Sequence, residues 1–243
     1  MNEAKIMTTP MHPSSSLAQD ENGNNFPEKE YRGMIGSLLY LTSSRPSILF
    51  AVGLCARFQT APKESHYTAV KRIFRYLVGT TNVGLWYKKG PHFNLMAYCD
   101  VDYAGDKIER KSTSGACQLL GEALVSWCCG KQNIIALSTT EAEYISAANC
   151  CSQVLWIRNQ LEDFSLRYAN IQILWDDAIN LSKNPIQHSK SKHREIKHHF
   201  IRNHVNKKEV ELLLSYLLSH CCVGGFCMEE CQLMRTFSLE GVL

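Results

Sequence analysis

Hydrophobic side chains recur every three or four residues between residues 31 and 80, and this spacing predicts three short α-helices. The first begins near Tyr31, the second opens at Pro46 and the third follows Pro62, since proline is favoured in the first turn of a helix. The inward stripe of the first helix is predicted to be Met34, Ile35, Leu38, Leu39 and Leu41. A second face of the third helix is basic and consists of Lys71, Arg72 and Arg75. A solvated helix face is the simpler interpretation of those charges.

Residues 1–26 form a different kind of segment. They are polar and contain prolines and a run of serines, without an apolar period that a core would bury. Such a composition is typical of chain that remains unfolded in water. We therefore expect an unstructured leader over these residues.

After residue 91 the hydrophobic period changes from helical to alternating. The first alternating run ends in acidic residues at Asp100, and Ser138 later begins a long helix. The predicted elements are strands at 95–100, 112–120 and 123–129, the helix from 138, a buried strand at 171–175, a basic helix at 193–206 and a strand or helix at 210–218. This order is typical of a mixed α/β layer fold.

Composition narrows the class of protein without deciding it. The 243 residues are 45% hydrophobic and 20% charged, as in one ordinary soluble domain or two small ones. The net charge is only +3, but residues 1–90 carry 11 basic and 6 acidic side chains, residues 91–180 carry 6 and 11, and residues 181–243 carry 9 and 6. An acidic middle between basic flanks suits a metal site beside a phosphate-binding surface, and it also suits coincidence.

The sequence shows no sign of membrane insertion or export. No apolar run approaches the roughly 18 residues that a membrane span requires, and the N-terminus lacks the apolar core of a secretory signal. The 11 cysteines are an odd number in a chain without an export signal. We therefore expect reduced thiols, an intracellular protein and no membrane partner.

Acidic residues at the ends of predicted strands are the main candidates for chemistry, because the open crevice of such a sheet lies there. Asp100 ends the first strand, and Asp176 ends the short strand after the long helix. Glu141 and Glu143 lie in the first turn of that helix. Carboxylates brought together repel one another unless a cation neutralises them. Oxygen ligands alone, with no paired cysteines, indicate Mg²⁺ or Mn²⁺.

A purely structural role stays open for some of these acids. The run from Ser138 to Glu141 has the sequence of a capping box, in which the glutamate closes the first turn of the helix. Asp102 and Asp106 lie on either side of Gly105 and are compatible with a turn.

Several motifs resemble copia-type retrotransposon polyproteins, from just after the reverse transcriptase core into the ribonuclease H domain. The motifs are, in order, YRGMIGSLLYLT at residues 31–42, Arg45-Pro46, residues 69–80, CDVDYAGD at 99–106, RKSTSG at 110–115, LSTTEAEY at 137–144, and residues 184–188, 192–193 and 198–200. Together they cover roughly residues 7–211. Several ordered motifs of this kind are a specific signal for the family.

The resemblance implies a ribonuclease H-like mixed sheet of about five strands with flanking helices, preceded by a small helical segment. The implied organisation is a disordered leader at 1–26, a helical segment from the end of the reverse transcriptase at 27–90, a ribonuclease H-like domain at 91–211 and an atypical, poorly ordered tail at 212–243. Nothing before Tyr31 resembles the paired aspartates of a polymerase palm. Polymerase, protease and integrase parts are therefore not expected in this chain.

The resemblance also implies a reaction, which is hydrolysis of the RNA strand of an RNA–DNA hybrid by carboxylates that hold two Mg²⁺ or Mn²⁺ ions. Asp100 matches the first-strand aspartate that bridges both ions, and Asp176 matches the aspartate after the fourth strand. Glu143 matches the helix glutamate better than Glu141 does, because two bulky or apolar residues follow it. Asp177 departs from the Asn or Ser that is usual in the family and adds negative charge.

The fourth acid of the family has no counterpart in this sequence. The family places it in a motif after the last strand, whereas this chain has no aspartate after Asp177. We therefore expect one of the two ions to be lost or weakly held, and cleavage to be weak or absent. The alternative function is that of a catalytically inactive remnant that only binds RNA–DNA hybrid or structured RNA.

Basic residues concentrate between Lys183 and Lys208, where eight lysines and arginines are opposed only by Glu195 and are interleaved with five histidines. A solvated helix is the alternative, but the resemblance favours a surface that contacts the phosphates of the hybrid. The candidate contacts are Arg110, Lys111, Lys190, Lys192, His193, Lys197, His198 and Arg202. The expected partners are the hybrid and the rest of the polyprotein, in cytoplasmic virus-like particles and in the nucleus. The oligomeric state is not predicted.

Overall fold

The computed structural model of the chain describes residues 5–12, 17–88, 93–106, 108–175, 192–214 and 234–236, with the backbone alone for residues 192–198, 214 and 234–236. These residues fall into two compact units. The helical unit lies within residues 1–86, 107–109 and 224–243, and the sheet unit lies within residues 87–106 and 110–223.

The helical unit contains the three helices that the sequence predicts. They are α1 (Glu28–Leu41), α2 (Leu49–Ala56) after a 3-10 helical turn at Pro46–Ile48, and α3 (Glu64–Gly79). Their core includes Tyr31, Ile35, Leu38, Ile48, Val52, Cys55, Val70, Ile73 and Tyr76. The predicted stripe of α1 is wrong at Leu39 and Leu41, which are 43% and 36% exposed. The buried face follows the i, i+4, i+7 spacing from Tyr31 through Ile35 to Leu38, and Leu39 and Leu41 lie off that line.

The described part of the leader packs on the helical unit. Met11 is 8% exposed and lies in the same core as the three helices. Arg72 of α3 donates hydrogen bonds to Thr9, from Nε to the carbonyl oxygen at 3.1 Å and from Nη2 to Oγ1 at 2.8 Å. His66 Nε2 lies 2.9 Å from the carbonyl oxygen of Ala18. The composition predicts an unstructured leader, whereas these residues contact the helices. The helices offer an apolar core to Met11, and α3 offers hydrogen-bonding side chains to Thr9 and Ala18.

The sheet unit is a five-stranded mixed sheet with helices. Its elements are β2 (Leu95–Asp102), β3 (Thr113–Leu120), β4 (Ala123–Lys131), α4 (Thr139–Glu162), β5 (Ile171–Trp175), α5 (Lys192–Asn206) and β6 (Val210–Leu214). The strand order is β4-β3-β2-β5-β6; β3 pairs antiparallel with both β2 and β4, whereas β5 pairs parallel with both β2 and β6. This is the ribonuclease H-like α/β fold that the sequence predicts.

The core of the sheet unit lies between β2, β5 and α4. Ala97 and Cys99 alternate along β2 with half-buried residues, and they are 0% and 3% exposed. Trp175, the last residue of β5, is 2% exposed and contacts the ring of Tyr144 of α4 edge-on, with ring centroids 5.8 Å apart. This packing fixes the first turns of α4 over the ends of β2 and β5. Asp100, near the end of β2, therefore lies beside a well-packed part of the core.

The C-terminal segment is described in two short pieces. The segment predicted as a strand or helix at 210–218 begins as strand β6. Strand β1 (Val83–Leu85), in the helical unit, pairs antiparallel with β7 (Met234–Thr236). The rest of the tail predicted to be poorly ordered lies outside the described residues. Among the helices that are described, each is too short or too polar to cross a lipid bilayer.

Candidate active site

Asp100 lies near the end of β2, the middle strand of the sheet, and its side chain is half-buried. The residue pairs with Gly115 of β3, and its Oδ1 accepts a hydrogen bond from the amide of Val101 at 2.7 Å. The carboxylate is thus held by the backbone of its own strand. The sequence places Asp100 correctly at the end of a strand.

Glu143 is brought to the same end of β2 by helix α4. One turn further along the helix, Ser146 Oγ donates a hydrogen bond to the carbonyl oxygen of Asp100 at 3.1 Å. Val101 packs against a small buried cluster that contains Ala142 and Ile145, the residues on either side of the Glu143-Tyr144 pair. The structure therefore brings the Asp100 and Glu143 segments together, through contacts made by their immediate neighbours.

Gln132 holds the start of α4 against the sheet. It is 5% exposed, and its Nε2 donates to Ser114 Oγ of β3 and to the carbonyl oxygen of Ala142, both at 2.8 Å. The backbone amide of Gln132 donates to the carbonyl oxygen of Ser112 at 2.8 Å. Sequence reasoning missed this residue, because a glutamine between a strand and a helix carries no local signal for a role in positioning.

Glu141 is committed to the helix cap. Its amide donates to Ser138 Oγ at 3.2 Å, and its Oε2 accepts a hydrogen bond from the amide of Leu137 at 2.7 Å. The predicted capping role of Ser138 and Glu141 is thus confirmed. Of the two glutamates in this turn, Glu141 therefore binds the helix cap, and Glu143 lies in the segment that packs beside Asp100.

Asp176, the third predicted carboxylate, lies outside the described residues. The strand that precedes it, β5, runs parallel to β2 with Ala97 opposite Ile173 and Tyr98 opposite Leu174. Among the described residues, no group of three or more His, Cys, Asp and Glu side chains is arranged to hold a metal ion. The predicted set of three carboxylates includes Asp176 and therefore stays a prediction.

The thiols beneath the site are not suited to nucleophilic chemistry. Cys99, next to Asp100, is 3% exposed, and its pKa is raised by a hydrogen bond with Cys150, by burial and by neighbouring acidic groups. Burial likewise raises the pKa of Cys151 to about 12. A thiol is a nucleophile only as its thiolate, so these cysteines are part of the core. The carboxylates are the groups at this end of the sheet that suit hydrolytic chemistry.

The predicted phosphate contacts fall into four groups. Arg202, on α5, is exposed and close enough to Tyr144 that its charge offsets part of the rise in the pKa of Tyr144 caused by burial. Arg110 is exposed and Lys111 is half-buried, and both lie in the connection from β2 to β3. Lys192, His193, Lys197 and His198 lie in helix α5, of which the backbone alone is described at those positions. Lys190 lies outside the described residues.

A cavity of about 750 Å³ adjoins Arg202 and Tyr144. It runs beside the sheet edge strand β6, and its lining combines apolar side chains with two cations, amides and the carboxylate of Glu211. The lining includes Asn170, Ile201, Val205, Lys208, Val210 and Leu212. The basic helix α5 and the first turns of α4 therefore border one open, partly cationic space.

Asp106, which the sequence makes compatible with a turn, is buried and carries an ion pair. It is 6% exposed, and its Oδ2 lies 3.3 Å from Lys131 Nζ at the end of β4. A buried aspartate paired with a lysine 25 residues away has no sequence signature that distinguishes it from a turn aspartate. The pairing of β3 with β4 brings Lys131 to Asp106, so the ion pair can be recognised only from the folded structure.

The chain is similar to retrovirus-related Pol polyproteins of plant transposons, although no protein-family model matches it. It is 43% identical to the polyprotein from transposon RE1 of Arabidopsis thaliana over 196 residues, which cover 79% of this chain and 13% of the polyprotein. It is 35% identical to the polyprotein from transposon TNT 1-94 of Nicotiana tabacum over 222 residues, which cover 88% of this chain and 17% of the polyprotein. This chain thus spans less than a fifth of the length of these relatives.

Solved structures show weaker similarity. The structure of the foamy viral protease-reverse transcriptase in complex with RNA/DNA hybrid matches with a TM-score of 0.46 and 10% sequence identity, over 84% of this chain and 26% of that chain.

Proposed function

Because the chain belongs to the retrovirus-related Pol polyproteins of copia-type transposons, we propose that its sheet unit hydrolyses the RNA strand of an RNA–DNA hybrid. The observation that carries the proposal is the meeting of the Asp100 and Glu143 segments at one end of a ribonuclease H-like sheet. The helical unit would then be the end of the reverse transcriptase part of the same polyprotein.

The donor set suits a hard divalent cation. Asp100 and Glu143 offer carboxylate oxygens, and Asp176 follows β5, the strand that lies beside β2. Mg²⁺ and Mn²⁺ prefer oxygen ligands of this kind, so these three side chains are the proposed ligands. A cation held there would activate a water molecule and stabilise the leaving oxygen of the phosphodiester. The protein itself fixes the two carboxylate segments through Ser146 and Gln132.

Cationic side chains around the carboxylates would hold the substrate. Arg202 lies beside Tyr144, the residue after Glu143, and Arg110 and Lys111 follow β2 beyond Asp100. Lys190, Lys192, His193, Lys197 and His198 extend the same basic segment along the sequence. Lysine and arginine on phosphates release bound counterions, so each contact that is lost should weaken the salt dependence of binding.

Binding without cleavage is the second candidate function. The sequence observation that favours it is that the acids after Glu211 are Glu229, Glu230 and Glu240, in a context unlike the family motif for the fourth carboxylate. A site with three carboxylates would hold one ion firmly and the other weakly. The protein would then bind hybrid and cleave it slowly or not at all.

The setting of this activity would be the parent polyprotein. The proposed partners are the RNA–DNA hybrid and the remaining parts of Pol, and the proposed places of action are the cytoplasm, within virus-like particles, and the nucleus. These proposals rest on the relatives, of which this chain spans 13% to 17%.

The first experiment measures cleavage of a labelled RNA–DNA hybrid in Mg²⁺ and in Mn²⁺ by the full chain and by Asp100→Asn, Glu143→Gln and Glu141→Gln. Residues that only orient metal ligands cost about 10- to 100-fold when replaced, so loss of a ligand should cost more than about 100-fold. Glu141→Gln is the matched control, because Glu141 lies on the same turn and is committed to the cap. It should cleave at nearly the wild-type rate and lose only part of the capping energy, about 1 kcal/mol.

Binding is measured on the same set together with Arg202→Gln. Asp100→Asn should still bind hybrid, whereas Arg202→Gln should bind more weakly and reduce the salt slope by about 1. Cleavage that is lost in Asp100→Asn and kept in Glu141→Gln would support the nuclease. Binding without cleavage by the wild-type chain would support the second candidate, and absence of both would overturn the two proposals together.

A further inference from the structure

The connection between β2 and β3 is held by several contacts among its residues 103–106 and 110–112, which belong to the sheet unit. The Asp106 amide donates to the carbonyl oxygen of Lys111 at 3.1 Å, and the Arg110 amide donates to the carbonyl oxygen of Asp106 at 2.8 Å. Arg110 has φ 56°, in the left-handed region that residues other than glycine rarely adopt. Such a conformation persists only where the surrounding contacts hold it.

Two further contacts close the first half of the connection. The Ala104 amide donates to Ser112 Oγ at 3.1 Å, and Ser112 is 1% exposed. A Cβ atom on Gly105 would lie 1.7 Å from Asp102 Oδ2, so the carboxylate occupies the space that any other residue would need. These contacts hold residues 102–106 close to Ser112.

The buried ion pair between Asp106 and Lys131 joins this loop to β4. The Asp106 side chain is 5% exposed, and its Oδ2 lies 3.3 Å from Lys131 Nζ. Lys131 is the last residue of β4, where it pairs with Thr113 of β3. A carboxylate buried to this extent is costly unless a charge and hydrogen bonds compensate it. Because a turn forms without a buried charge, the ion pair between Asp106 and Lys131 suggests a role beyond forming the turn.

We propose that Asp106 is a positioning residue, which through its ion pair with Lys131 holds Arg110 in place to contact a phosphate of the nucleic acid. The proposal rests on the proposed function of the sheet unit. The backbone carbonyl of Asp106 accepts the hydrogen bond of the Arg110 amide, and the Arg110 side chain is exposed. An arginine whose backbone is already fixed loses less conformational freedom on binding, and this raises affinity without a new contact.

The structural half of the proposal is tested by amide hydrogen exchange in the full chain. Asp106→Asn keeps the shape of the side chain and removes its charge, while Lys131, whose side chain is 26% exposed, can turn to water. The Arg110 amide should exchange at least about 10-fold faster in this variant. Asp163→Asn is the matched control, because Asp163 is an exposed aspartate at the end of α4, and it should leave exchange at Arg110 unchanged.

The functional half is tested by hybrid affinity in Asp106→Asn, Arg110→Gln and the double variant. If Asp106 acts through Arg110, each single variant should bind about 10-fold more weakly and lower the salt slope by about 1, and the double variant should be no worse than either. In Asp106→Asn, the turnover rate at saturating hybrid, where cleavage is measurable, should stay within about 2-fold of wild type, because the carboxylates are untouched.

The outcomes separate this proposal from the one on which it rests. Unchanged exchange at Arg110 in Asp106→Asn, or losses of affinity that add in the double variant, would overturn the positioning role. A conservative Lys131→Arg variant should keep both exchange protection and affinity, whereas a general loss of fold would lower the affinity of every variant that is less stable. A wild-type chain that does not bind hybrid at all would instead overturn the proposed function, and the exchange result would still decide whether the ion pair holds the loop.

Discussion

The helical unit and the sheet unit use similar polar side chains for different purposes. In the helical unit, Arg45 donates from Nη1 and Nη2 to the backbone and side chain of Thr80 at 3.0 and 2.6 Å, and Arg72 binds Thr9 in the same bidentate manner. In the sheet unit, acidic and basic side chains collect around the end of β2 instead. A basic side chain on a helix face can therefore bind a distant segment of the same chain, as Arg72 binds Thr9. At Arg72 the structure differs from the solvated face that the sequence predicts.

The two units also differ in how deeply their polar side chains are buried. Tyr31 and His66 of the helical unit are 0% and 1% exposed, and their polar atoms meet backbone groups of the same unit. Asp100 and Glu143 of the sheet unit are half-buried and belong to segments that meet at one end of the sheet. We therefore expect polar substitutions in the helical unit to change stability alone, and those at the end of β2 to change activity more than stability.

The largest effect should come from the core under the candidate site. Trp175→Ala removes a side chain that is 2% exposed and packed on Tyr144, and it should lower the free energy of unfolding by about 3–5 kcal/mol. Urea unfolding followed by circular dichroism measures this change. Trp156→Ala is the control, because Trp156 lies on α4 and is 57% exposed, and it should change stability by less than about 0.5 kcal/mol. Equal losses in both variants would contradict the assigned core.

A smaller effect is expected at Gln132, which holds the start of α4. Gln132→Ala removes two hydrogen bonds and leaves buried acceptors without that donor, which should cost about 1–3 kcal/mol. Gln153→Ala is the control within the same unit, since its single contact to Ser126 is longer, at 3.3 Å. Thermal unfolding and hybrid cleavage are both measured. If Gln132 positions Glu143, cleavage should fall by more than the loss of folded protein explains.

Local patterns in the sequence are sufficient to predict most elements of the sheet unit. The alternation from Leu95 predicts β2, and the capping box at Ser138 predicts the start of α4, because both depend on neighbours a few residues apart. The choice between Glu141 and Glu143 required the family resemblance. The structure places the Glu141 carboxylate on the Leu137 amide, and the assignment of Glu143 stays a prediction.

The contacts that position the candidate site could not be predicted, because they join residues far apart in the chain. Ser146 and Asp100 are 46 residues apart, and Gln132 and Ser114 are 18 residues apart. The burial of Met11 by the three helices is of the same kind, since a single methionine in a polar segment gives no apolar period. Such contacts depend on how strands and helices pair, which a local pattern does not contain.

Tyr31→Phe tests the helical unit at the level of one hydrogen bond. The hydroxyl of Tyr31 donates to the carbonyl oxygen of Cys55 at 2.9 Å in the core, and its removal should cost about 1 kcal/mol. Tyr40→Phe should cost nothing measurable, because Tyr40 is 81% exposed. Cleavage or binding of hybrid should be the same for both variants once stability is accounted for. A selective loss of activity in Tyr31→Phe would break the proposed division of roles between the units.

The smallest effect is expected at Glu209 of the sheet unit, whose polar contacts should affect stability and not activity, like the polar contacts of the helical unit. Glu209 meets His204 Nδ1 through Oε2 and lies 3.4 Å from Arg158 Nη1 through Oε1. The hydrogen bond with His204 lowers the pKa of Glu209 most, partial burial opposes this, and the charge of Arg158 lowers it further. Since solvent screens such a pair, Glu209→Gln should cost at most about 1 kcal/mol at pH 7.

The pH dependence of this effect follows from the direction of the pKa shift. A carboxylate whose pKa is lower in the folded state stabilises the protein above its unfolded-state pKa, about 4.3, and this contribution is lost as the pH falls through the lower folded value. The unfolding free energies of wild type and Glu209→Gln should therefore differ at pH 7 and converge below about pH 4. Glu162→Gln should show a smaller difference, because Glu162 is 49% exposed and lies 3.8 Å from Arg158 Nε. A difference for Glu209→Gln that persists at pH 3 would show that the side chain acts through packing, and cleavage of hybrid should be unaffected in either case.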